Sequence, residues 1–228
     1  MAVDGCLLIT ETVLYFVVFF TGLISAVTVG ISRVSFAGDC LLFAEVKWCN
    51  STAFYFTELG SNGVCGFSVG LEIIACFYAL LFGLYHVSIF FQWAKERRGL
   101  LLPAIIINVL CLVLLFIDSC ILSIGFKRFC ASLTGGASLG SKVTDCATVP
   151  GDLNWNSGAT CGTTQDKKSH GTYAGGNFFG FLTTAQGASW FGVLFWLIIL
   201  VSCIVRRIRD RPALDPNSDK APIANVTI

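Results

Sequence analysis

Four long apolar runs constrain this chain more than any other feature. They lie at about Leu7–Ile31, Gly66–Trp93, Gly99–Phe126 and Phe179–Val205. A membrane helix needs roughly 20 mostly apolar residues, and each run passes that length. Composition agrees: 55% of the 228 residues are hydrophobic and only 13% are charged. Soluble domains carry about 25% charged residues, so there are too few here to cover a water-facing surface. Backbone groups in lipid must be bonded within their own segment, so all four runs are expected to be helices. The expected fold class is all-α, a four-helix transmembrane bundle. The leader MAVDGC has no Lys or Arg, and its apolar run is longer than a signal peptide's, so the first span is expected to remain.

The spans imply an order of parts. Residues 1–6 form a short N-terminus and 7–31 helix 1. Outward loop 1 takes 32–65, helix 2 66–93, a basic turn 94–98 and helix 3 99–126. Outward loop 2 takes 127–178, helix 4 179–205 and a disordered tail 206–228. The turn carries Lys95, Arg97 and Arg98, and the fourth span ends in Arg206, Arg207, Arg209 and Arg211. The positive-inside rule puts both on the cytoplasmic side, with both termini there. Lys127, Arg128 and Arg33 run against the bias without cancelling it. The expected location is the plasma membrane or a secretory or endosomal membrane.

Six of the eleven cysteines fall in the two outward loops: Cys40, Cys49, Cys65, Cys130, Cys146 and Cys161. An even set facing an oxidising compartment reads as disulfides, with fifteen pairings open. There is no C-x-x-C spacing and only His170 is near, so the loop set does not read as a metal site. Asn50-Ser51-Thr52 is a glycosylation sequon in the first outward loop. Cys6 and Cys203 sit at span ends, where palmitoylation acts. Val226 and Ile228 at the C-terminus fit a PDZ groove. The basic inner face suits anionic lipid as well as topology, which leaves a lipid-sensing role as a minor reading.

The stretch LVLLFIDSCILSIGFKRFC places Asp118 inside the third span, roughly 12 Å from its outer end at the helical rise of about 1.5 Å per residue. Glu72 lies roughly 9 Å into the second by the same measure. Ser25 and Gln186 fall at a similar level, giving a polar layer of Ser25, Glu72, Asp118 and Gln186. A carboxylate at the centre of a membrane helix costs about 2.5–3.5 kcal/mol, somewhat less nearer the surface. No span interior holds a Lys or Arg to offset it. Three uses remain open: protonated acids as interhelical glue, an acid meeting a partner's helix, or a cation or proton site. Ala75, Ala79 and Gly83 form a small-residue stripe that Glu72 continues, so Glu72 is expected to point into the bundle. His86 and Asn108 form a weaker, deeper pair, read as packing residues.

Enzyme signatures are missing from the sequence. There is no phosphate-cradling glycine loop, no H-E-x-x-H and no G-x-S-x-G. The chain is therefore expected to be non-enzymatic, with no cofactor and no metal. A net charge of +1 lacks the concentrated basic face that nucleic acid demands.

Gly38-Asp39-Cys40-Leu41-Leu42-Phe43 resembles the G-R-C-x-L-[FY] motif of the transmembrane protein 179 family. Cys65 stands just before the second span, as in that family. The segment from Asp118 to Cys130, with Ser123, Gly125 and Phe126, is similar to its third-span exit. Ser189-Trp190 with Leu194 and Trp196 is similar to its fourth span. The spacing leans toward the 179B branch, and the resemblance covers about 30–205. It implies a four-span membrane protein and leaves the activity open. Asp39 departs from the family's basic residue, and Cys49 and Cys161 are additions that suit pairing with each other. Cys40–Cys65 and Cys130–Cys146 are the expected bridges, because each closes a short loop within one outward segment. Claudins fit less well, since Trp48-Cys49 lacks their W-x-x-[GN]-L-W. Tetraspanins carry C-C-G, and Cys161-Gly162 lacks its first cysteine. The function expected is an accessory or organising protein that binds other integral membrane proteins. The alternative is oligomeric ion or proton transport through the Glu72/Asp118 layer.

Overall fold

The computed structural model describes residues 2–51, 53–93, 100–135, 143, 145–149, 153, 155–156 and 171–209, with side chains from Cys6 onward. The elements run α1 (Ala2–Ser35), β1 (Cys40–Trp48), β2 (Phe54–Gly60), α2 (Asn62–Phe90), α3 (Leu101–Thr134), a 3-10 turn (Cys146–Thr148) and α4 (Phe178–Arg209). All four α-helices are long and apolar enough to cross a membrane. The protein is an integral, multi-pass membrane protein.

Local chemistry sets the helix ends. α1 stops where Ala37 (φ 52°) and Gly38 (φ 89°) turn left-handed, and the Gly38 N–H reaches back to Arg33 O at 2.8 Å. Glycine takes that conformation without a Cβ penalty. α2 opens on Ser61, whose hydroxyl accepts from Gly63 N. Pro103 sits in the first turn of α3, where its missing N–H has no helical partner to lose.

α1 packs against α2 on one side and α4 on the other, and α4 packs against α3, while α2 and α3 meet little. The small stripe Ala75, Ala79 and Gly83 is buried, along with Ser68, Glu72 and His86 of the same helix. A Cβ added at Gly83 would meet Tyr15 and Phe16 of α1 at 3.5 Å, so this stripe is the α1 contact face. Tyr15, Val18, Leu115, Trp196 and Ile199 fill the bundle core. Ile74, Phe77, Leu81, Ile106 and Phe191 point outward, as a lipid-facing surface requires.

The first stapled loop is not irregular throughout: it carries an antiparallel hairpin of β1 and β2. Its register pairs Trp48 with Phe54, Lys47 with Tyr55 and Val46 with Phe56, then slips between Cys40 and Glu45. Phe43, at φ 66°, lies within that slip. The third helix continues past 126 to Thr134, and the hairpin lies on this extension. Trp48 Nε1 donates to Leu133 O at 3.0 Å. Val46 N donates to Ser132 Oγ at 2.8 Å, and Ser132 Oγ donates back to Val46 O. Arg128 pairs with Glu45 at 2.6 Å. Gly125 lets the hairpin come close: a Cβ there would meet Phe43 Cε2 at 2.8 Å and Leu42 Cβ at 3.0 Å. Phe36, Phe54, Phe56, Phe129, Trp155 and Phe178 fill the space beneath, so the cap has its own core.

Cys40–Cys65 ties the start of β1 to the first turn of α2, and Cys130–Cys146 ties α3 to the 3-10 turn. Cys49 is also disulfide-bonded. Asp39, the residue that departs from the family motif, is buried and accepts a hydrogen bond from Tyr173 OH. One expectation is corrected here: Arg206, Arg207 and Arg209 belong to α4, not to a disordered tail. The small turn between α2 and α3 and positions 210–228 lie outside the described residues.

Candidate functional site: two buried polar clusters

The first cluster lies in the cap-side half of the bundle and draws on all four helices. α1 gives Ser25, α2 gives Ser68 and Glu72, α3 gives Asp118 and Ser119, and α4 gives Ser189. Each is at most 3% exposed. Ser68 Oγ donates to Asp118 Oδ2 at 3.1 Å, which links the two helices that otherwise barely touch. The Ser119 and Ser189 hydroxyls are 2.6 Å apart. The Glu72 carboxyl lies within interaction range of Asp118, Ser25 and Ser189. Room for it comes from Gly22 on α1, where a Cβ would stand 3.1 Å from Glu72 Oε2. Ser25 Oγ, Glu72 Oε1 and Asp118 Oδ1 have no hydrogen-bond partner among the described residues.

Three of the four expected layer residues, Ser25, Glu72 and Asp118, come together here. Gln186 does not. Its Nε2 donates to Ser123 Oγ at 3.0 Å, beside a second bond of the same length from Trp190 Nε1. That group lies on the α3–α4 seam. Ser189, not Gln186, is the α4 residue level with Asp118, because it meets Ser119 while Gln186 meets Ser123 a turn nearer the cap. Ser68, Ser119 and Ser189 were not among the expected residues: Ser68 stands one helical turn before Glu72, Ser119 directly follows Asp118, and Ser189 comes from α4.

The second cluster lies at the other end of the bundle, around Glu11. This carboxylate is fully buried. It accepts from Ser202 Oγ at 3.0 Å and from Arg206 Nη1 at 2.8 Å. His86 Nδ1 stands 3.8 Å from it. Asn108 Nδ2 donates to Tyr15 OH at 3.0 Å and faces Cys203 Sγ at 3.7 Å. A cavity of about 30 Å³ lies among Glu11, Tyr15, His86, Cys203 and Arg206. His86 and Asn108 both belong to this cluster and meet through Tyr15, whose ring stands 5.4 Å from His86 and whose hydroxyl accepts from Asn108. Glu11 was missed as a site; its signal was an acid one helix turn inside a span whose neighbour ends in arginine.

The remaining expected sites scatter. Cys203 is 2% exposed and turned toward Asn108, so its thiol is not presented for palmitoylation. Cys6 is exposed. Asn50 is exposed at the hairpin tip, where its Oδ1 accepts from Ala53 N at 2.8 Å. Cys161, Val226 and Ile228 lie outside the described residues. Among the described residues no three His, Cys, Asp or Glu side chains are placed to hold a metal together.

Comparison with known proteins fits this architecture. A family described as "Transmembrane protein 179/179B Claudin domain" matches residues 7–222. The zebrafish (Danio rerio) transmembrane protein 179B is 27% identical over 227 residues, covering 96% of this chain and 95% of the relative. The human protein of that name is 23% identical, covering 86% and 81%, and the mouse protein 23%, covering 84% and 78%. No solved structure matches.

Proposed function

The chain belongs to the transmembrane protein 179/179B family, and on that premise we propose that it is a non-enzymatic accessory or organising protein that binds other integral membrane proteins. One observation carries the reading: a braced cap stands on the bundle and exposes side chains at its hairpin tip. Lys47, Cys49, Asn50 and Ser51 are exposed there, while the Cys40–Cys65 disulfide ties the hairpin's base to α2 and Trp48, beside the tip, bonds to α3. The acids do not supply the contact, because Glu72 and Asp118 are turned inward. A partner meets the cap or the apolar helix faces instead. In this reading the cap faces outward, where disulfides persist. The arginine end of α4 is cytoplasmic, and Asn50 carries a glycan.

The test is purification from native membranes in mild detergent, with quantitative identification of what accompanies the chain. The expected result is a stoichiometric membrane partner, retained by Asp118→Asn and lost when the tip residues Lys47, Asn50 and Ser51 are replaced together. A chain that comes out alone, and drives ion flux in liposomes that Glu72→Gln stops, would replace this reading with transport.

A further inference from the structure

The cap-side cluster has more oxygen than its own hydrogen bonds use. Two carboxyls and four hydroxyls face one another, and no Lys or Arg stands among them. Acids alone would be unremarkable as interhelical glue. The independent observation is that three fully or nearly fully buried oxygens, from three different helices, are left without a partner: Ser25 Oγ, Glu72 Oε1 and Asp118 Oδ1. Buried polar atoms are normally satisfied, so three together in one cluster call for something to fill them.

We propose that this cluster is a binding site for one small monovalent cation of sodium's kind, held by Glu72, Asp118, Ser25 and the Ser119/Ser189 pair. The donor set is all oxygen, which excludes the softer transition metals that take imidazole and thiolate. Cys76 Sγ lies beside Glu72 across Gly22, but its thiol donates to Phe19 O and stays out of the donor set. The four helices are continuous through the cluster, so no freed backbone carbonyls are available to complete the larger shell that calcium takes. Neutral serine hydroxyls are suited to a singly charged ion instead. Charge closes in the same way: two ionised carboxylates carry two negative charges, and one cation with one retained proton cancels both. Loading from the doubly protonated state therefore releases one proton to solvent. Ser68 holds Asp118 Oδ2, leaving Oδ1 for the ion. Gly22 sets the depth at which Glu72 can sit. The site does not depend on the accessory role; an ion there braces α2 against α3, which otherwise meet little.

The experiment uses the purified full chain in lipid nanodiscs. Thermal unfolding is followed in sodium chloride, potassium chloride, calcium chloride and choline chloride at fixed ionic strength, beside direct binding of radioactive sodium. Sodium should raise the midpoint saturably, as ligand linkage requires, and acidification should weaken its binding because protons compete. Glu72→Gln should bind sodium at least about tenfold more weakly, since even loss of a group that only orients a ligand costs that much at metal sites. Glu45→Gln, in the exposed cap pair, should bind as the unaltered chain does. If Glu72→Gln fails to fold, Ser189→Ala removes one ligand with little change of shape and should show the same weakening. Midpoints that are equal in sodium and choline would overturn the proposal. So would a shift produced only by calcium, or a sodium shift that both variants keep.

Discussion

At one end of the bundle a buried carboxylate is answered by a guanidinium; at the other, two carboxyls are answered only by hydroxyls. Glu11 is fully buried, yet Arg206 reaches it at 2.8 Å from the last turn of α4. An arginine at a span end can keep part of its side chain near the interface while its head pairs inward. Glu72 and Asp118 lie where no cation is within reach of any helix, so neighbouring serines take up the contact. The same carboxylate chemistry thus serves two purposes. A fixed ion pair joins α1 to α4 at the Arg206 end, whereas the cap-side acids keep open valences. The first is a structural clamp, and the second is where a ligand can act.

The largest expected effect tests the clamp. Arg206→Met strands a buried carboxylate and should destabilise the fold by about 3–5 kcal/mol. Denaturation in mixed micelles measures this, and adding Glu11→Gln should recover most of the loss. Glu72→Gln, measured the same way, should change stability by no more than about 1 kcal/mol, because no cation is stranded and the amide keeps the shape. Equal losses for Arg206→Met and Glu72→Gln would erase the contrast between the two ends.

Next comes the frame that holds the cap-side half. Replacing Cys40 and Cys65 together by serine should cost about 2–5 kcal/mol. Hydrogen exchange should then show the hairpin losing protection while α1 and α4 keep theirs at the Glu11 clamp. Trp48→Phe leaves Leu133 O without its indole donor and should cost about 1–3 kcal/mol. The smallest change should come from Arg128→Gln, which breaks an exposed ion pair worth about 0.2–1 kcal/mol. A cap that loosened more on Arg128→Gln than on Trp48→Phe would reverse this order and place its anchorage on the surface.

The sequence by itself determined the four spans, because apolar length is a one-dimensional property that lipid enforces. It placed Glu72 and Asp118 within the second and third helices, well inside their ends. It also pointed Glu72 inward, through the small residues that follow it at helical spacing. Azimuth was different. The spans are apolar nearly all round, so periodicity does not say which side of α4 faces α1. Only packing decided that Ser189 joins the acids while Gln186 turns to Ser123 and Trp190 on the seam. Packing likewise brought Glu11 to Arg206, residues 195 apart in sequence with no local pattern linking them. The hairpin, too, was settled in three dimensions. Its bulged strands form a two-stranded sheet, which is marginal by itself, and they become stable by lying on an α3 that continues beyond the apolar run that marked its end.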